Sequence, residues 1–293
     1  MSQPVIGFVG LGVMGEPMCR NVRVRGGYRV VACDLDQAPL DRLAPHGVEA
    51  VASASAVVRG SDIVMVSLPS GRVLESVVRG KDGVLENIRA GQIFVDLGTS
   101  PVALTRSLAA QFAARGARYL DAPVARTRAA AEAGTLSVMV GGDIATFEEL
   151  RPVIACFASE ITHCGAVGAG QVTKILNNMV LFETVAALSE AYAIARRAGL
   201  DPGLLFDTLA KGSADSFALR NHGMKAIIPQ AFPARAFSVE YAKKDLAYAL
   251  ELAADTGVDA QGARRVDRLF DEAIALGLGD QYHPVVSRIV DGN

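Results

Sequence analysis

The sequence predicts an α/β protein, a doubly wound parallel sheet followed by an all-helical domain, and three observations carry that prediction. Short apolar runs (VIGFVG, YRVVACD, DIVMVSLP, QIFVDLGT, RYLDAPV) alternate with helical stretches through the first half. These runs are apolar on both faces, as strands buried between two layers of helix must be. After residue 170 the alternation stops, and residues 171–200 run without Pro or Gly until Gly199, too long for a strand and apolar nearly all round. A helix of that kind is expected to be buried. The division is placed at 164/165, giving domains 1–164 and 165–293.

Each element follows from its local signal. VIGFVG predicts the first strand and GEPMCRNVRVRG the first helix; YRVVACD predicts the second strand and PLDRLAPHG the helix after it. DIVMVSLP, QIFVDLGT and RYLDAPV extend the sheet, and TLSVMVGG adds a further apolar run. In the second half AKKDLAYALELAADTG and GARRVDRLFDEAIALG keep helical periodicity and close on Gly, which accepts the left-handed conformation of a C-cap.

Composition narrows the function. The chain has 293 residues, 51% hydrophobic and 20% charged, with a net charge of −2 and interleaved signs. It is long enough for two ordinary domains, and it lacks the basic footprint of a nucleic-acid or anionic-membrane binder, so the expected partner is a small molecule. No run reaches the roughly 18 apolar residues of a membrane span and no secretory leader is evident, so a cytoplasmic protein is expected. Cys19, Cys33, Cys156 and Cys164 form no CxxC pair, arguing for buried free thiols rather than a metal site or disulfide framework.

Gly10, Gly12 and Gly15, with Leu11, Val13 and Met14 between them, form a GxGxxG run between a predicted strand and a predicted helix. The first Gly permits the tight turn, the second lets a pyrophosphate approach the backbone, and the third lets helix pack on strand; this is a Rossmann-type dinucleotide site. Asp34 ends the second strand about twenty residues on, where an acid hydrogen-bonds the adenosine ribose and repels a 2′-phosphate, favouring NAD over NADP. Alternatively Asp34 is a turn residue and Asp36 or Arg42 sets the preference.

A catalytic group is expected early in the second domain, which should close the crevice at the sheet edge. In GAGQVTKILNNMV, Lys174, Asn177 and Asn178 stand at i, i+3 and i+4 of an otherwise apolar helix. A buried lysine needs a partner or a task. Desolvated, it would exchange a proton with a carbonyl oxygen while Asn178 orients the substrate. The plainer alternative is a lysine that snorkels to water beside bridging asparagines.

GFVGLGVMGEPM, DAPV followed by GTLSVMVGGD, GAGQVTKILNN and AKKDLAYAL occur in the order and spacing of the β-hydroxyacid dehydrogenase family, which this chain resembles along essentially its whole length. The resemblance implies an NAD-dependent oxidoreductase interconverting a small acidic semialdehyde and its hydroxy acid, assembled as a homodimer or homotetramer. It implies that Lys174 is the catalytic lysine, Asn178 the substrate-orienting asparagine, and Lys244 a lysine closing over nicotinamide and substrate; Lys243 matches nothing. Leu68, Pro69 and Thr99 match positions lining the cofactor cleft, and the family's Ser-Thr reads Gly98-Thr99 here.

The chain departs from the family at DAPVSGG, whose Ser-Gly-Gly receives the substrate carboxylate and is here Ala125-Arg126-Thr127. An Arg-Thr pair at this place resembles the sulfolactaldehyde reductase branch. A guanidinium grips a carboxylate or sulfonate through two parallel bonds, so Arg126 with Thr127 is expected to clamp the substrate anion. The alternative pairs Arg126 with Asp121 or Glu132 at a surface turn, and Arg128 is expected to be a surface residue of that kind. Two other functions share the pattern: an imine reductase, whose members generally lack the lysine, and a non-catalytic NAD(H) sensor, against which Lys174, Asn178 and Lys244 together argue.

Overall fold

The computed structural model describes residues 3–234 and 236–292. By its contacts the chain divides into two compact units, Met1–Lys174 and Ile175–Asn293. The first contains strands β1 (Ile6–Val9), β2 (Val30–Cys33), β3 (Glu49–Ala50), β4 (Ile63–Val66), β5 (Ile93–Asp96), β6 (Arg118–Asp121), β7 (Val124–Ala125), β8 (Leu136–Gly141) and β9 (Ala158–Gly165). Their helices are α1 (Gly15–Gly26), α2 (Gln37–Leu43), α3 (Ala54–Gly60), α4 (Gly71–Arg79), α5 (Val84–Asn87), α6 (Val102–Ala113), α7 (Arg128–Ala133) and α8 (Ile144–Ile154).

The strand order is β3-β2-β1-β4-β5-β6-β8-β7, with β9 on β8. The first six are parallel. β8 then runs antiparallel to β6 and β7 and parallel to β9, so the far edge of the sheet is mixed. The central strands are buried throughout, and alternate residues feed two cores. Ile6, Phe8, Ile63 and Met65 pack with Met18 and Val22 of α1, while Val64, Val66 and Phe94 pack with Leu74, Leu108 and Phe112 on the other face. Burial on both faces is why these strands read as continuous apolar runs. Because six strands are parallel, the loops after β1, β2, β4 and β5 all leave the same edge of the sheet.

In the second unit lie most of α9 (Ala169–Arg197), then α10 (Pro202–Leu209), a π-helical segment (Leu219–Ile227), α11 (Val239–Thr256), α12 (Gln261–Ala275) and α13 (Val286–Asp291). Phe182, Phe206, Leu246, Val266 and Phe270 form its core. Gly257 caps α11 at φ 72°, as its sequence signal predicts. Lys243 of α11 reaches Asp267 (2.7 Å) and Asp271 (2.9 Å) of α12, giving that lysine a structural task.

The long helix is not buried all round. Ile175, Phe182, Val185 and Leu188 are covered, but Leu176, Val180 and Ile194 are 39%, 57% and 67% exposed. One apolar face of α9 thus exceeds what this single chain covers. Three cysteines, Cys19, Cys33 and Cys156, are buried free thiols, and Cys164 is partly exposed. Burial pushes the Cys33 thiol up to about 11, keeping it protonated and unreactive. Among the described residues no helix is long and apolar enough to cross a membrane.

Candidate active site

The GxGxxG loop lies between β1 and α1, and each glycine has its own physical reason. Gly10 sits at φ 88°, and a Cβ there would come 2.4 Å from the Ser67 carbonyl oxygen. A Cβ on Gly15 would come 2.2 Å from the Gly10 carbonyl oxygen. Both are closed to any side chain. At Gly12 a Cβ would meet nothing within 4 Å, so that glycine is not required for the protein's own packing. Helices α2, α3, α4, α7 and α8 have N-cap side chains, whereas α1, whose N-cap residue is Met14, has none, like α5 and α6. Uncapped N–H groups behind an open glycine suit a pyrophosphate, and these residues therefore fit a dinucleotide.

Asp34 braces that loop: its Oδ2 accepts from the Leu11 N–H (2.5 Å) and its Oδ1 from the Asp36 N–H (2.8 Å). It opens on a hollow of about 470 Å³ that Leu11, Gly12, Val13, Glu16, Arg20, Asp36, Arg42, Arg128 and Glu132 also line. Leu68 and Pro69 follow β4, and Thr99, 7% exposed, lies in the loop after β5. A Cβ on Gly98 would come 3.0 Å from the Leu68 carbonyl oxygen, a tight approach at the position where the family resemblance expects serine.

Two carboxylates that the sequence reading did not single out fix the start of α9. Asp121, at the end of β6 and fully buried, accepts from the N–H of Gly168 (2.7 Å) and of Gln171 (2.8 Å). Burial raises its pKa, and the backbone donors pull the other way. Gln171 in turn holds the β5–α6 loop: its amide donates to the Gly98 carbonyl (2.9 Å) and its oxygen accepts from the Ser100 N–H (3.0 Å). Asp96 completes this lattice, accepting from the Ser100 hydroxyl (2.8 Å) and the Gly98 N–H (2.9 Å). The available signal was an acid closing each of two apolar strands, IFVD and RYLD, where exposure to solvent is not an option.

Gln171, Lys174 and Asn178 stand at i, i+3 and i+7 of α9, one face of a 3.6-residue helix. Lys174 is buried, 9% exposed. In the second unit Asn178, also buried, donates to Asp245 Oδ2 (2.7 Å), and Lys244 Nζ lies 3.0 Å from Asp245 Oδ1 and 4.1 Å above the Tyr241 ring. Asp245, 1% exposed, is the group that ties Asn178 to Lys244, and sequence reasoning missed it. Asn177 is exposed and donates to the Asn178 side-chain oxygen (3.1 Å).

The departing loop is ordered by its own contacts. Ala125 pairs with Ser137 across β7 and β8. Arg126 takes φ 86°, a left-handed backbone that favours glycine, and its Nη1 donates to the Thr135 carbonyl (2.7 Å) and the Ser159 hydroxyl (3.1 Å). It pairs with neither Asp121 nor Glu132. Thr127 caps α7, its hydroxyl oxygen accepting from the Ala130 N–H (3.3 Å). Arg128 pairs with Glu132 (2.9 Å) on the exposed face of α7, and both line the hollow at Asp34.

The chain is similar to known proteins along its length. Residues 5–165 match the model described as the NAD binding domain of 6-phosphogluconate dehydrogenase, and residues 168–290 that of NAD-binding of NADP-dependent 3-hydroxyisobutyrate dehydrogenase. The chain is 35% identical over 284 residues to 2-(hydroxymethyl)glutarate dehydrogenase of Eubacterium barkeri, covering 97% of this chain and 94% of that one. It is 37% identical over 251 residues to 3-hydroxyisobutyrate dehydrogenase of Pseudomonas aeruginosa, covering 84% of each. A solved structure of Mycobacterium tuberculosis 3-hydroxyisobutyrate dehydrogenase with L-serine superposes with a TM-score of 0.89 at 32% identity, covering 99% of both chains. With the dinucleotide loop, the buried lysine and both family models in register, the chain belongs to the β-hydroxyacid dehydrogenase family and is an NAD(P)-dependent oxidoreductase acting on hydroxyl groups.

Proposed function

We propose that the protein interconverts a small 3-hydroxy acid and its semialdehyde, using NAD, with Lys174 as the general acid and base. The observation that carries the reading is Lys174 itself: a buried ammonium one turn beyond Gln171, which grips the loop after β5. When bound, the nicotinamide supplies or accepts the hydride. Lys174 donates its proton to the carbonyl oxygen in reduction and recovers it in oxidation. Asn178, held by Asp245, hydrogen-bonds the substrate, and Lys244 supplies a second cation for its acid group.

The names of the relatives support the substrate class. 2-(Hydroxymethyl)glutarate, 3-hydroxyisobutyrate and L-serine each carry a hydroxymethyl group on the carbon that bears the carboxylate. That shared unit is the minimal substrate proposed here. Arg126 and Thr127 extend the site toward a more strongly acidic substrate: Nη1 of Arg126 is engaged, whereas its Nε and Nη2 have no partner among the described residues. The two remaining donors suit one carboxylate or sulfonate. The exposed apolar face of α9 supports assembly with further copies of the chain, and a cytoplasmic enzyme fits the chemistry.

The test is a panel of 3-hydroxy acids with NAD and NADP, and of semialdehydes including sulfolactaldehyde with NADH and NADPH. Turnover confined to compounds bearing an acid group one or two carbons from the reacting carbon supports the reading. Equal turnover of neutral alcohols overturns it.

A further inference from the structure

The hollow beside Asp34 contains more arginine than an NAD site needs. Arg20, Arg42 and Arg128 all line it, and a guanidinium there is the ordinary partner of a 2′-phosphate. Yet each is already engaged with protein oxygen. Arg42 meets Glu16 through two parallel bonds, Nε to Oε1 at 2.7 Å and Nη2 to Oε2 at 2.8 Å. Arg128 meets Glu132 at 2.9 Å, and Arg20 donates to the Glu132 carbonyl at 3.4 Å. With Asp34 and Asp36, four carboxylates face three guanidiniums.

We propose that Glu16 is a cofactor-specificity residue, which locks Arg42 in a bidentate pair and so withholds from a 2′-phosphate a guanidinium that lines the same hollow as Asp34. The proposal rests on the reading that this site takes NAD.

Glu16 stands in the first turn of α1, where the helix N-terminus favours its negative charge. Its side chain is 24% exposed against 58% for Arg42, so the acid is the fixed partner and the arginine the mobile one. Arg42 and, at longer range, Arg128 and Arg20 hold the Glu16 carboxyl below its ordinary value, so it is ionised across the working range. A 2′-phosphate entering the hollow would have to break a planar two-bond pair and would then leave Glu16 bare, beside Asp34 and Asp36. The acid after β2 repels the phosphate directly; Glu16 removes the compensation. This places the discrimination on two elements, the end of β2 and the first turn of α1, which the sequence fingerprint does not connect.

The experiment is a titration of NADH and NADPH, by nicotinamide fluorescence, into the wild type, Glu16→Gln, and the double variant Glu16→Gln with Arg42→Ala. The quantity read is the ratio of the two dissociation constants, so any general effect on dinucleotide binding divides out. Freed from a charged partner, Arg42 should shift the ratio toward NADPH by about tenfold in Glu16→Gln, the scale of one charge-assisted contact. The double variant should return it to the wild-type value. An unchanged ratio in Glu16→Gln, or a shift that survives the loss of Arg42, overturns the lock while leaving the NAD reading intact. A wild type that binds NADPH more tightly than NADH overturns that reading and the lock together.

Discussion

Arg126 holds its guanidinium at a backbone position that suits glycine. Its backbone is left-handed, at φ 86°, a conformation costing a non-glycine residue roughly 1 kcal/mol. That accounts for a glycine at the middle of the family's Ser-Gly-Gly and makes arginine there a side chain kept against a cost. Two bonds from Nη1, to Thr135 and Ser159, offset it and fix the guanidinium. Arg126→Gly should therefore fold with a melting temperature within a few degrees of wild type, since strain relief and lost bonds oppose each other, while the KM for acidic substrates rises about tenfold or more. Unaltered KM values would remove Arg126 from the substrate site. Lys174→Ala should lower turnover by about 10²–10⁴-fold while NADH still binds by fluorescence titration; near-normal turnover would refute its role. Asp121→Asn keeps the shape but presents an amide donor to Gly168 or Gln171, whose N–H groups need acceptors. A loss of about 1–3 kcal/mol in denaturant unfolding is expected, with lower kcat.

At the level of elements, the strand and helix order of the first unit was legible because every central strand is buried on both faces and every helix only on one. The mixed edge was not. β7 is two residues long, too short to show an alternating pattern, and its antiparallel pairing of Val124 with Val138 and Ala125 with Ser137 spans the intervening α7. The glycine loop was legible to the residue, but its braces, Asp96, Asp121 and Gln171, were hidden. A lone acid at a strand end looks like a turn residue until its donors, which lie between 2 and 75 residues away, are seen. Asp245 was hidden for the same reason, since it sits inside a helix and its partner Asn178 is 67 residues distant. The loop makes a separable prediction. Because a Cβ on Gly12 meets nothing within 4 Å, Gly12→Ala should leave the melting temperature unchanged yet weaken NADH binding about tenfold or more. Loss of stability in that variant would mean the glycine serves packing instead.

For the molecule as a whole, two buried histidines in the second unit contribute to acid sensitivity. His283 is fully buried among Phe182, Phe237, Phe270 and Tyr282, and neither ring nitrogen has a hydrogen-bond partner among the described residues. Its ring centre is 5.2 Å from that of His222, whose Nδ1 meets the Tyr282 hydroxyl. Burial lowers His222 to about 4 and His283 well below its ordinary value. Both therefore stay neutral when folded but take up protons near 6.5 when unfolded. Stability is full above that point and declines as pH falls from about 6.5 toward 4, by up to roughly 1.4 kcal/mol per pH unit for each histidine. His222→Gln should remove its share of that slope in urea unfolding measured across the window, and an unchanged slope would acquit His222. The proposed chemistry is that of a family dehydrogenase oxidising a hydroxymethyl group on the carbon that bears a carboxylate. The most direct measurement is NADH formation, followed by absorbance, when the purified protein meets NAD with 3-hydroxyisobutyrate, L-serine or 2-(hydroxymethyl)glutarate. Catalytic turnover of at least one of them is predicted; NADH binding with no turnover of any would contradict the account.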